Sequence, residues 1–272
     1  MDDVLYREQR NDEIKKDYIN DFPMSELVKI YGLHRSTIQS ILKRLGVSLH
    51  RNRSFIVCNR KFFSEYTNSS CYWAGFILAD GNIRKDRNSL QIKLAIKDKN
   101  HLYKFLNSIS CNEFNRVKTY LNTKNPYVSL TISLDEFKRD LDRNFSITPN
   151  KTYIACVSHK IPRNILKHFI RGYIDGDGSI TKTTVRALSI VGTVGVLTSI
   201  ASFFKDIYNI KLKSKNDSPP ICNLKNNVGA ISYSGENAKK ILDNLYSNIS
   251  SEIVLDRKYS RYKELFVEDN DG

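Results

Sequence analysis

From Leu90 to Lys97 apolar and polar residues alternate without a break. Leu90, Ile92, Leu94 and Ile96 fall on one face, and Gln91, Lys93, Ala95 and Lys97 on the other. A period of two predicts a strand with one side on a core. The alternation returns from Tyr127 to Leu134, where Val128, Leu130, Ile132 and Leu134 oppose Tyr127, Ser129, Thr131 and Ser133. Asn115 to Asn122 reads as its partner, with Arg116, Lys118, Tyr120 and Asn122 on one side, and Thr123-Lys124-Asn125-Pro126 as the turn between them. Between the strands the period lengthens. Leu102, Phe105, Leu106 and Ile109 form the core stripe of a helix that Asp98 can cap, and Asp135 to Phe145 reads as another. Ser70 to Ala79 is apolar nearly all round, as befits a helix buried on every side. The order is helix, two strands, helix, two strands, helix.

The later chain repeats this plan less cleanly. Gly178 to Thr183 and Val185 to Val191 form a strand pair, with Arg186 expected to face outward although Leu188 and Ile190 share its parity. Thr193 starts a helix to about Tyr208, striped by Val196, Leu197, Ile200, Phe203 and Phe204. Lys211 and Lys213 share one face of a strand, Cys222 to Ser234 holds one or two more, Gly235 to Asn248 is helical, and the segment from Leu255 to Tyr259 closes the domain before a charged tail.

At the head of each copy stands a related segment. The first is Trp73-Ala74-Gly75-Phe76-Ile77-Leu78-Ala79-Asp80-Gly81, and the second is Ile170-Arg171-Gly172-Tyr173-Ile174-Asp175-Gly176-Asp177-Gly178. Each reads apolar-x-Gly-aromatic-Ile-x-small-Asp-Gly and leads into a strand. Gly75 and Ala79, like Gly172 and Gly176, lie four apart on one helix face. Two such helices packed side by side would approach backbone to backbone and bring Asp80 and Asp177 together. Asp175 has Leu78 at its place in the first copy, so it is not expected to be an obligate ligand.

Before these copies, Asn11 to Asp21 reads as a helix with Ile14, Tyr18 and Ile19 on one face, and Ser25 as the cap of a short helix carrying Leu27, Val28 and Tyr31. A third helix runs from Arg35 to Leu45, where Ile38, Ile41, Leu42 and Leu45 follow buried spacing and Gly46 ends it. His34 sits at its cap position. Two helices joined at a glycine behind a support helix resemble a helix-turn-helix. The outward Arg35, Ser36, Gln39 and Lys43 then suit base edges and phosphates; a generic three-helix cap with a solvated face is the plainer reading. Residues 48–61 have no period. Arg51 and Arg53 suit a linker that tracks a phosphate backbone, or a plain solvated connector.

The bulk properties narrow the class. The chain has 272 residues, and 43 Lys and Arg against 29 Asp and Glu give a net charge of +14, which points to a polyanionic partner. Five cysteines show no zinc spacing and fit reduced thiols of an intracellular protein. The acidic start Met1-Asp2-Asp3 is unlike a signal peptide, and no apolar run is long enough for a membrane span. Localisation is expected in the cytoplasm or nucleoid of a bacterium or phage-infected cell, or in an organelle.

The repeated motif resembles that of the LAGLIDADG homing endonucleases, over about Phe62 to Tyr262. The resemblance implies an α+β fold: two pseudo-symmetric αββαββα halves forming a DNA-binding saddle, preceded here by the small all-α module. The division expected is 1–47, the 48–61 linker, 62–146 and 147–272. Starting at Met1 and ending in a charged tail, the chain is expected to carry no intein splice junction. Two copies in one chain suit a monomer on a long, asymmetric double-stranded DNA site.

Hydrolysis of a phosphodiester calls for activated water and charge neutralisation, which carboxylates holding a divalent cation provide. Asp80 and Asp177, with backbone carbonyls at Ala79 and Gly176, offer hard oxygen ligands for Mg²⁺, each half serving one strand. The resemblance also implies a lysine near each centre, for which Lys151 and Lys258 match; each is otherwise one surface lysine among many. Gln91 and Arg186 are candidates for ordering water there. The polar faces, with Arg84, Gln91, Lys93, Lys97, Arg116, Lys118, Tyr120, Arg186, Lys211 and Lys213, would contact DNA. Two rivals keep the same fold: a non-cleaving DNA-binding regulator, and an RNA maturase whose partner is intron RNA.

Overall fold

Nothing before residue 11 carries an apolar period, yet the first helix, α1 (Asp2–Ile19), runs through that stretch. The computed structural model describes residues 2–19, 22, 24–47, 49, 56–85, 89–210, 221–247, 249 and 253–267. Its contacts separate into two units, Met1–Val57 and Cys58–Gly272.

In the first unit α1 is joined by α2 (Met24–Tyr31) and α3 (Arg35–Arg44) around Ile14, Leu27, Ile38, Ile41 and Leu42. Ile19 was expected on the core face but is 61% exposed. It lies about 100° round the helix from Tyr18, outside a stripe this narrow. Ser25 falls inside α2 rather than capping it. His34 does cap α3, its Nδ1 accepting from the Ser36 amide at 3.4 Å. Gly46, at φ +73°, ends the helix in a conformation that other residues resist.

The second unit holds two copies of one topology. In the first, α4 (Asn68–Asp80) is followed by β1 (Gly81–Ile83), β2 (Leu90–Ala95), α5 (Lys99–Ser108), β3 (Lys118–Tyr120), β4 (Tyr127–Ile132) and α6 (Asp135–Phe145). In the second, α7 (Leu166–Asp177) is followed by β5 (Gly178–Lys182), β6 (Arg186–Thr193), α8 (Val194–Tyr208), β7 (Cys222–Lys225), β8 (Val228–Ser234) and α9 (Gly235–Tyr246). Both sheets are antiparallel, in the orders β1-β2-β4-β3 and β5-β6-β8-β7. Registers match as well: Gln91 pairs with Asn82 and Thr131 where Ser189 pairs with Ser179 and Ser232. The fold is thus α+β, two αββαββα halves in one chain.

A last helix, α10 (Asp256–Phe266), lies where no helix was expected. Its buried Lys258, Tyr262, Leu265 and Phe266 have helical spacing, but the lysine and the surrounding charges hide it. Three expected strands are shorter in the structure, among them β4, which ends at Ile132 rather than Leu134. β2 stops at Ala95, and Ile96–Asp98 turn in a 3-10 helix that leaves Ile96 37% exposed. β3 keeps only Lys118–Tyr120. Asp98 makes no capping bond to α5.

The halves meet along α4 and α7. Thr67 and Ser70 begin α4 with a reciprocal capping box: Thr67 Oγ1 accepts from the Ser70 amide at 3.0 Å, and Ser70 Oγ from the Thr67 amide at 2.9 Å. Ser70 to Leu78 are then all buried, as the all-round apolar pattern requires. A Cβ on Gly75 would overlap the Phe169 carbonyl oxygen, and one on Gly172 the Tyr72 carbonyl oxygen. Only glycine permits backbones this close. Among the described residues no helix is long and apolar enough to cross a membrane.

Candidate functional site

The close crossing fixes what happens at the helix ends. One turn beyond Gly172, a Cβ on Gly176 would strike Ala79 Cβ and lie 3.4 Å from Asp80 Oδ2. Asp80 and Asp177, the last residues of α4 and α7, therefore come together, and the charge of Asp177 acts on Asp80. Solvent reaches the outer edge of Asp80 while protein encloses its flanks. That enclosure, aided by Asp177 and opposed by Lys258 and Lys151, raises its pKa to about 6. Burial also raises Asp177, against Lys151, Lys258 and the Tyr173 hydroxyl. Tyr173 has one hydroxyl proton for two acceptors, Asp177 and the Val191 carbonyl at 2.9 Å.

Both lysines reach this point. Lys151 lies in a 3-10 turn (Lys151–Tyr153) between the halves and donates from Nζ to the carbonyls of Leu78 and, at 3.2 Å, Ala79. Lys258, in the first turn of α10, donates to Ile174 at 2.7 Å and Gly176 at 2.9 Å. Each ammonium thus sits on carbonyls in the last turn of a motif helix, where the helix dipole favours positive charge. Burial lowers both pKa values, that of Lys258 to about 8. The carbonyls of Ala79 and Gly176, expected as cation ligands, are already lysine acceptors, each with a second lone pair left. Among the described residues no group of three or more His, Cys, Asp and Glu gathers anywhere. A cation here would rest on two carboxylates and backbone oxygens.

Asp175 does not join the site. It is buried and accepts from Tyr72 Oη at 2.7 Å, Tyr246 Oη at 2.6 Å and the Leu255 amide at 2.8 Å. Nearby, buried Arg171 donates to the Leu245 carbonyl at 3.0 Å and meets His168 Nδ1 at 3.1 Å. No pattern of apolar and polar residues in the sequence announces this network.

Register sorts the expected DNA contacts. On the open face of the first sheet Lys93 and Lys118 flank Ser129 across neighbouring strands. Tyr120 stacks on Tyr127 at 4.7 Å, and Lys93 Nζ lies 5.3 Å from the Tyr127 ring centre. Gln91 shares that face and donates to Thr131 Oγ1 at 3.4 Å. Arg84 is half-buried just past β1, and Lys97 is exposed but off the strand. Two expected contacts are displaced. Arg116 lies in a 3-10 turn and pairs with Glu113 at 2.6 Å. Arg186 pairs with Lys182 across the strands, out of step with the outward Ala187, and lies over Phe266 at 5.9 Å; parity places it toward α10. The second face offers short side chains instead, Ser179, Ser189 and Ser232 in one row and Thr181, Ala187 and Ser234 in the next. In the first unit Arg35, Ser36 and Lys43 are exposed and Gln39 is half-buried. Arg51, Arg53, Lys211 and Lys213 lie outside the described residues.

Known structures share this outline. Full-length DUF199/WhiA from Thermatoga maritima superimposes with a TM-score of 0.44 at 13% identity, over 76% of this chain and 64% of that one, so the chain spans less than two thirds of that protein. The homing endonuclease I-WcaI, bound to its DNA recognition sequence, gives 0.47 at 13% identity, over 81% of this chain and 97% of its own. The LAGLIDADG meganuclease I-AabMI, bound to uncleaved DNA, gives 0.41 at 14% identity, over 73% and 91%. No family model matches the chain, and no curated protein matches it in sequence. At such identities and TM-scores the functional reading rests on the residues themselves.

Proposed function

We propose that the chain is a site-specific DNA endonuclease of the LAGLIDADG type, acting as a monomer and hydrolysing one phosphodiester on each strand of a long, asymmetric duplex site. The observation that carries this reading is the meeting of Asp80 and Asp177 at the joined ends of α4 and α7, with a lysine on the carbonyls beside each. Two carboxylates driven up in pKa in a shared, partly enclosed space are a donor set that a hard cation would relieve. Asp80 and Asp177 would hold Mg²⁺, with Ala79 and Gly176 carbonyls as further oxygen ligands; when bound, the ion supplies Lewis-acid polarisation of the scissile phosphate.

The chain's own groups do the rest. Lys151 and Lys258 set positive charge where negative charge grows on the phosphate. Tyr173 orients Asp177. Lys93, Lys118, Tyr120 and Gln91 grip and read the duplex on the first sheet, and the first unit adds Arg35, Ser36, Gln39 and Lys43.

Selection on a DNA library with Mg²⁺, comparing wild type with Asp80→Asn and Asp177→Asn, tests the reading. Site-specific double-strand breaks lost in both variants support it. Specific binding without cutting, unchanged by either substitution, overturns it in favour of a DNA-binding regulator or a maturase on intron RNA.

A further inference from the structure

Residues 254–258 make a contact at every position, and those contacts are divided between the halves. The Val254 carbonyl accepts from Lys104 Nζ of α5 at 3.0 Å. The Leu255 amide donates to Asp175 of α7 at 2.8 Å. Asp256 pairs with Lys104 at 2.5 Å and accepts from Asn100 at 3.4 Å. Arg257 donates from two nitrogens to both oxygens of Asp98, at 3.2 Å and 3.1 Å. Lys258 then lands on the carbonyls of Ile174 and Gly176. The first half thus holds the positions next to Lys258 in sequence, while Lys258 itself serves the end of the second motif helix.

The fork geometry matters here. Asp98 is buried to 8% exposure, and a guanidinium gripping both its oxygens fixes direction as well as distance. It also explains why Asp98, placed at the start of α5, makes no capping bond to that helix. Lys151 has a different anchorage. Its segment is tied to the second half by neutral bonds, Asn227 Nδ2 to the Tyr153 carbonyl at 2.7 Å and Thr193 Oγ1 to the Ala155 carbonyl at 2.5 Å.

We propose that Arg257 and Asp98 are positioning residues that set Lys258 at one of the two strand-cleaving centres and leave the Lys151 centre untouched. This rests on the endonuclease reading above. Arg257 directly precedes Lys258, and its fork on Asp98 is the two-point tie among the bonds that hold this segment to the first half, so loosening the pair separates the two strand cuts. A shift on the order of 1 Å at a reacting centre costs roughly a hundredfold in rate.

The test uses the full chain and a duplex carrying its selected site, each strand labelled separately, with wild type, Arg257→Ala, Arg257→Lys and Asp98→Asn. In wild type both strands are cut. In Arg257→Ala one strand slows at least tenfold relative to the other and nicked product accumulates, while Arg257→Lys, which keeps the charge but not the fork, falls between. Without added metal, hydrogen exchange rises in the 253–262 segment and stays unchanged across α4. Equal slowing of both strands, or exchange that rises across α4 as well, makes the pair a general support of the fold and overturns the proposal. Should Arg257→Ala fail to fold, Arg257→Lys and Asp98→Asn carry the same comparison. A wild type that cuts no DNA overturns the endonuclease reading itself, and the proposal with it; unequal loss is the only result that upholds both.

Discussion

Gly172→Ala adds one methyl group at the point where the halves are closest. The new Cβ would overlap the Tyr72 carbonyl oxygen, with the Phe76 amide nitrogen at 2.9 Å. Both obstacles are backbone of α4, so no rotamer change relieves them and the helices must move apart. Overpacking typically costs 1–3 kcal/mol, and a collision with a rigid backbone belongs at the upper end, about 3 kcal/mol. That is roughly a 150-fold shift toward the unfolded state, and for a domain of this size about 6–12 °C in Tm. The separation also parts Asp80 from Asp177, so cleavage should fall further than stability. Urea denaturation and cleavage of the selected site measure the two effects. A companion pair checks the geometry: Gly176→Ala collides with Ala79 Cβ, and Ala79→Gly removes that obstacle. The double variant should then be more stable than Gly176→Ala alone. A Gly172→Ala protein that melts within 1 °C of wild type, roughly the precision of such a comparison, would refute the close crossing.

Asp80, with a pKa raised to about 6 by burial and by Asp177, binds its proton more tightly folded than unfolded. Its contribution to stability is therefore greatest in acid and is lost as pH rises through about 6; in EDTA, wild type should gain stability relative to Asp80→Asn on going from pH 7.5 to 5, and no difference in urea midpoints would contradict this. Asp175→Ala strands the Tyr246 hydroxyl and the Leu255 amide in the interior and leaves the Tyr72 hydroxyl only His101 Nε2, at 3.2 Å; at 1–3 kcal/mol for each unsatisfied donor, a loss of roughly 3 kcal/mol is expected, and a urea-derived loss under about 1 kcal/mol would sink it. Lys93→Ala removes one ammonium from the first sheet face; the slope of log K against log salt should become shallower by about 1 in binding titrations, and an unchanged slope would place that face away from phosphate.

Much of the architecture was legible because each face of an element meets a single kind of surroundings. The alternation in β2 and β4 and the all-round apolar α4 left little choice, and the small residues of both motifs pointed to the crossing that unites Asp80 with Asp177. The signal faded where a polar residue is buried for a partner remote in sequence. Asp98 looks like a helix cap until Arg257 is seen across from it. Arg186 looks like an outward basic residue until Phe266 lies beneath it. Asp175 stood out only as the residue where the two motifs differ, and its burial with Arg171 shows only in the structure. α10 escaped for the same reason: its second helical contact is a lysine whose partners are carbonyls of another helix.

The buried network on α7 also bears on attempts to redesign the chain. Aligning the motifs sets Tyr72 against Phe169, Ala74 against Arg171 and Leu78 against Asp175. Each partner in the polar pair is apolar in the opposite copy. Two second halves placed together would face Asp175 with phenylalanine and lose one of its hydroxyl donors, and two first halves would bury Tyr72 with no carboxylate to receive it. The duplicated halves have become lock and key to one another. A symmetric homodimer built from either half would therefore need several interior residues exchanged at once.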